Sequence, residues 1–220
     1  MRPVWDRGFF LGSTVVAFVQ GAAVGAMMRG IPVVDGQYAG GPFGWLHPFA
    51  ILTGIGLVLG YALLGAGWLV LKSEGELRDW AHRRIRWLAA SVFAVQFLAF
   101  TVTFDYSVLA RSNLHARPWG LVFPAIGALA LVGILVGARG QRDGLPFAMT
   151  GLFFLAAFLS LGVMFWPYII PYSVTVASAA APEASLGFLF YGGIVVLPVI
   201  AVYTIGVYWV FRGKVDRGYG

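Results

Sequence analysis

The chain has 220 residues, 60% of them apolar and 11% charged, against about 25% charged in a soluble domain; that balance excludes an ordinary soluble class and leaves a polytopic membrane protein. The formal charge of +6 does not indicate nucleic acid as a partner, because the basic residues stand at the ends of apolar runs, where they meet anionic lipid and set topology. With no cysteine, disulfides, thiolate metal sites and thiol catalysis are ruled out.

Six apolar segments are each long enough to span a bilayer core: A from Gly8 to Met28, B from Pro48 to Leu71, C from Trp87 to Ala110, D from Trp119 to Ala138, E from Pro146 to Ile170 and F from Leu186 to Phe211. The expected fold is all-α, a membrane bundle of six transmembrane helices forming one domain over residues 1–220. Segment A, with Arg2 and Arg7 ahead of it and the small residues of GAAVGA inside it, also has the ingredients of a secretory signal peptide. Small residues recur in other segments, however, and Gly21 with Gly25, Gly56 with Gly60 and Gly133 with Gly137 share the GxxxG spacing that lets helix backbones approach closely. Gln20, in the middle of A, is expected to hydrogen-bond to a neighbouring helix.

Segment B has no charge in the 24 residues from Pro48 to Leu71, which at about 1.5 Å per residue covers about 36 Å. His47 stands at its mouth. Beyond its far end the B–C loop carries Lys72, Arg78, Arg83, Arg84 and Arg86, with His82 among them. Segment C holds Gln96 at mid-helix, a second interhelical hydrogen-bonding group, and Asp105, the one ionisable residue inside a predicted span. A carboxylate at membrane depth is a candidate for a proton or substrate path, although Asp105 lies close enough to the helix end to reach water or Arg111. Pro124 in D and Pro198 in F are expected to kink their helices. Trp166, Tyr168 and Tyr172, around the WPYIIP run at the end of E, form the aromatic belt of a membrane interface. Glu183 precedes F and suits the positive end of that helix.

Orientation follows from the basic residues. Arg2 and Arg7, the cluster of the B–C loop, Arg139 and Arg142, and Arg212, Lys214 and Arg217 stand on one side, against only Arg29, Arg111 and Arg117 on the other. Short basic loops stay in the cytoplasm, so both termini are expected there, with outer loops at Gly30 to His47, Arg111 to Pro118 and Pro171 to Ser185.

A haem held by the bundle would need inward His or Met ligands, and His47, His82 and His115 all fall outside the spans. Met149 and Met164 in E read as core or lipid contacts, and there is neither an HExxH run nor a phosphate-cradling glycine loop. The residues therefore point to no catalytic, cofactor-binding or metal site on this chain alone. The polar candidates are Asp105, His47, Gln20 and Gln96.

Taken together, WDRGFFLGS (Trp5 to Ser13), MRGIP (Met28 to Pro32), GWLHPFAILTGI (Gly44 to Ile55), GAGWLVLKSEGEL (Gly65 to Leu77), MFWPYIIP (Met164 to Pro171), AAAPEASL (Ala179 to Leu186) and YTIGVYWVFRGKV (Tyr203 to Val215) resemble subunit II of the cytochrome bd-type quinol oxidases, nearly end to end. The resemblance implies a subunit of a bacterial inner-membrane terminal oxidase that takes electrons from quinol and reduces dioxygen to water. It places haems b and d and the quinol-oxidising loop in a partner subunit I, and implies contact with lipid, quinol, a bound quinone and a small single-helix subunit. It also implies that the six segments match the last six of nine helices, without the GFD-type and HWDGN-type blocks that carry the family's proton-uptake acids. Two other readings stay open at this point, a six-helix transporter subunit and a purely structural assembly partner. A transporter should show discontinuous helices or paired halves, and D–F do not repeat A–C.

Overall fold

The computed structural model describes residues 2–35, 37–140, 142–211, 213 and 214. Arg212 and Arg217, counted above among the basic residues, lie outside the described residues. In chain order the elements are α1 (Arg2–Arg29), β1 (Val33–Val34), β2 (Gln37–Tyr38), α2 (Pro48–Lys72), α3 (Gly75–Tyr106), α4 (Val108–Ala116), a 3-10 turn (Pro118–Leu121), α5 (Val122–Arg139), α6 (Gly144–Phe165), β3 (Tyr168–Ile170), β4 (Val174–Thr175), α7 (Val176–Ala179) and α8 (Glu183–Val210). Among the described residues six helices are long and apolar enough to cross a membrane, and they correspond to segments A–F. The strands form two short antiparallel hairpins in the connections.

Several boundaries differ from the sequence expectation, each for a local reason. The basic stretch read as a B–C loop is the first turns of α3, and only Ser73 and Glu74 separate it from α2. Ala81, His82, Ile85, Ala89 and Val92 are buried at helical spacing, so the apolar stripe of α3 runs on past the membrane-length segment and keeps the chain helical. Gly75 opens that helix at φ +62°, a left-handed conformation that glycine adopts without a Cβ clash. At the other end, segment C breaks at Ser107, whose buried hydroxyl accepts from the Ala110 amide at 3.2 Å and caps α4. Arg111 to Ala116 are thus helical where a loop was expected. Segment E stops being helical at Phe165, because Pro167 supplies no amide donor and disfavours helical geometry at Trp166. Pro124 lies in the first turn of α5, where no i→i−4 bond is forfeited, so the interruption expected inside D has no cause there. Pro198 is inside α8 as expected.

Helix α2 is central. It packs against α1, α3 and α6, while α5 packs against α3 and α6 and completes the bundle. The largest core cluster joins Leu63 and Val70 of α2, Ile85 of α3, Ile134 of α5 and Phe153 of α6. Close approach of α1 to α2 depends on glycine: a Cβ on Gly21 would lie 2.6 Å from the Thr53 carbonyl oxygen and 2.9 Å from Gly54 Cα. Ala22, Ala26 and Ala50 form the small-residue seam beside it. Helix α8 differs, since none of its described residues is buried.

The helices alternate so that Arg7, Lys72, Arg78, Arg83, Arg84, Arg86, Arg139, Arg142 and Lys214 share one end of the bundle, here termed the basic end. The opposite end is stitched by side chains. Asn113 of α4 donates to the carbonyls of Met164 at 2.9 Å and Trp166 at 2.7 Å, and Ser107 Oγ and Tyr172 Oη are 2.9 Å apart.

Candidate functional site

Three polar locations interrupt this apolar bundle. The first is mid-membrane, where two adjoining cavities of about 290 and 250 Å³ share Gln96, Phe100, Pro124, Phe153, Ala157 and Ser160. Their walls are otherwise apolar, with Gly21, Gly56 and Gly60 thinning the larger one on the α1–α2 side. The hydroxyls that line it are spent on their own helices: Thr53 donates to Phe49 and Ala50, Thr103 to Ala99, and Ser160 to Ala156. Among the described residues the Gln96 carboxamide has no hydrogen-bond partner, so the cavities offer a bound molecule one free amide in an apolar slot. Gln20 lies elsewhere, on the α1–α2 seam, where its Oε1 accepts from the Tyr61 hydroxyl at 3.3 Å across the helix pair.

The second location is the end opposite the basic one. His47 is the N-cap of α2, its Nδ1 accepting from the Ala50 amide at 3.2 Å, and its ring stacks on Phe49 with centroids 6.3 Å apart. Burial, and secondarily the charge of Arg29, lower the pKa of His47, which keeps the ring neutral and Nδ1 free to accept. Its Nε2 is buried without a partner. Asp105 sits in the last turn of α3 and is exposed; among the described residues no ion pair joins it to Arg111. Glu183 is the first residue of α8 and adds negative charge there, but the residue at the cap position is Pro182 and no side chain caps the helix.

The third location escaped the sequence reading. At the basic end Asp143, in the α5–α6 connection, receives Arg78 Nε at 3.0 Å and Nη2 at 2.6 Å on Oδ1, and Nε again at 3.1 Å on Oδ2. Lys214, beyond the end of α8, donates to Oδ2 as well. Hydrogen bonds from Arg78 and then Lys214, with both their charges, hold the Asp143 carboxyl well below the usual carboxylate range, against the burial that alone would raise it. His82, expected in a loop, is instead buried on α3, with Nε2 3.6 Å from Asp143 Oδ1. The available signal was an isolated acid in QRDGLP, flanked by Arg139 and Arg142. Asp before Gly and an apolar run reads as a helix cap, whereas Asp143 makes no cap bond and spends its oxygens on cations from α3 and the end of α8.

Among the described residues no three His, Asp or Glu side chains converge as a metal site. Met164 is buried against Phe165, Ala110 and Leu114, and Met149 packs on the main core, so both methionines fill space.

The family model for cytochrome bd terminal oxidase subunit II matches residues 1–211. The chain belongs to this family. Subunit II relatives include the cytochrome bd-I ubiquinol oxidase subunit 2 of Escherichia coli (strain K12), 25% identical over 257 aligned positions that cover 98% of this chain and 67% of the relative. The probable cytochrome oxidase subunit 2 of Haemophilus influenzae is 25% identical, covering 99% and 67%. The cytochrome bd ubiquinol oxidase subunit 2 of Bacillus subtilis is 26% identical, covering 97% and 64%. The chain thus spans about two thirds of the length of these relatives. The transporter reading is not favoured.

Proposed function

We propose that the chain works as subunit II of a bd-type oxidase in a bacterial cytoplasmic membrane, supporting a haem-bearing subunit I that oxidises quinol and reduces dioxygen to water. The family match over residues 1–211 carries this reading. The bundle's role is structural support of its partner, with haems b and d held by subunit I. The cavities around Gln96 suit a bound quinone: apolar walls for an isoprenoid tail, and one free carboxamide to meet a quinone oxygen. Lipid covers the remaining apolar surface, and a small single-helix subunit is a further partner.

The decisive experiment is deletion and complementation in the source bacterium. Quinol oxidase turnover should fall to background without this chain and return with it. A tagged chain should bring down a haem-bearing partner, whereas the chain purified by itself in detergent should be colourless. A stoichiometric Soret band from the isolated chain would reverse the assignment of roles.

Sidedness is a separate expectation. The concentration of basic residues at one end supports a cytoplasmic location for that end and for both termini. Single cysteines at Glu74→Cys and Ala180→Cys, both exposed positions in a cysteine-free chain, should label from opposite faces of intact cells, Ala180→Cys from outside. Labelling of both from one face would end the six-span topology.

A further inference from the structure

His82 is a buried group that the support role does not use. Its side chain is 5% exposed, and neither ring nitrogen has a hydrogen-bond partner. Buried polar groups are normally paired, so an orphaned imidazole needs a reason. The reason lies in its neighbour. Asp143 Oδ1 is 3.6 Å from Nε2, but that oxygen already takes Arg78 Nε and Nη2, while Oδ2 takes Arg78 Nε and Lys214 Nζ. A carboxylate has about four lone-pair sites, and three N–H donors already converge on them, the single Arg78 Nε–H being shared between the two oxygens. His82 makes no hydrogen bond there.

We propose that His82 is a proton-sensitive competitor for Asp143, and that its protonation displaces Lys214 and so removes one of the ties that hold the end of α8 to the bundle. An imidazolium at this buried position needs a counter-charge, and two carboxylates stand near. Asp79 is 58% exposed and paired with Arg78 Nη1 at 3.2 Å; Asp143 is the one His82 approaches. Of the two cations on Asp143, Arg78 is the harder to remove, because it is bidentate. Lys214 makes one contact, comes from beyond α8, and is 33% exposed against 21% for Arg78. Its ammonium returns to water most easily. Among the described residues, Arg139 at the end of α5 and Arg142 in the α5–α6 connection also stand at this end with no ion pair to Asp143, and Lys72 of α2 donates to the carbonyls of Phe211 at 2.8 Å and Gly213 at 3.4 Å.

The consequence reaches beyond a side chain because α8 has no buried described residue. Ties at the basic end run from Trp68 to Tyr208, from Lys72 to Phe211 and Gly213, and from Lys214 to Asp143. Loss of one changes how the helix is held.

The test uses the absence of cysteine. Nitroxide labels on Glu76→Cys in the first turn of α3 and Val210→Cys in the last turn of α8 report the separation by pulsed electron resonance, in the complex reconstituted in nanodiscs. Measurements are made at pH about 8 and about 5.5, so that imidazole protonation is the event varied. The longer-distance population should rise about threefold or more at the lower pH. In the His82→Gln background the distribution should stay at its high-pH form, and Lys214→Gln should give the longer form at both. If His82→Gln does not assemble, His82→Phe fills the buried space without taking a proton and should likewise abolish the pH response. A distribution that does not change with pH, or a change that survives loss of His82, would overturn the proposal. The outcome is independent of oxidase turnover, so it stands or falls separately from the functional reading above.

Discussion

Asp143→Asn is expected to destabilise the protein by about 2–3 kcal/mol, the largest effect of any single charge change at the basic end. The substitution leaves Arg78, with a side chain only 21% exposed, without its carboxylate, and frees Lys214 at the same time. Removing one partner of a substantially buried pair costs far more than the pair itself contributes, because the stranded charge keeps its desolvation penalty. Asp79→Asn is the internal comparison: Asp79 is 58% exposed, and its loss should cost no more than about 0.5–1 kcal/mol. Thermal aggregation of the detergent-solubilised protein, followed for both variants, checks the ranking. Equal shifts would show that the Asp143 cluster is an ordinary surface network. The pH dependence has a definite sign. Because the folded pKa of Asp143 is depressed, its contribution is fully present above the unfolded value of about 4 and is lost only as pH falls below it. Asp143 itself therefore does not titrate in the window where His82 is tested.

Gly21→Leu is expected to separate α1 from α2 and to abolish accumulation of the assembled protein. Even the first side-chain carbon would lie 2.6 Å from the Thr53 carbonyl oxygen and 2.9 Å from Gly54 Cα, and both are backbone atoms that no rotamer change can move. Overpacking usually costs about 1–3 kcal/mol, and a full isobutyl group against a backbone belongs at the upper end. Gly12, on the same helix, faces open space: a Cβ there would meet nothing within 4 Å, so Gly12→Leu should leave membrane yield unchanged. Fluorescence-detected gel filtration of the two variants compares them directly. A monodisperse Gly21→Leu protein at native yield would show that the α1–α2 seam opens without penalty.

Much of this protein is determined by composition and by one-dimensional spacing. A run such as Pro48 to Leu71 has no environment but a bilayer core, so spans and their order follow from length and hydropathy. The Gly21–Gly25 pair lies on the close α1–α2 approach, whereas the other two glycine pairs face α3 and α6, and the isolated amide of Gln20 implied a partner across a helix pair. Helix ends were less legible, since the tertiary packing of Ala81, His82 and Ile85 extends α3 beyond the hydrophobic segment, and the Ser107 hydroxyl starts a separate helix. Only the tertiary structure decided the site at the basic end. Arg78 and Asp143 are 65 residues apart and Lys214 is a further 71 beyond, so no local pattern connects them. Which cation meets which carboxylate depends on where the helices end, and helix ends depend on packing. The same holds for the cavities, where Gln96 is an ordinary polar residue in sequence and comes to border, while still exposed, an apolar slot lined by residues of α1, α2, α3, α5 and α6.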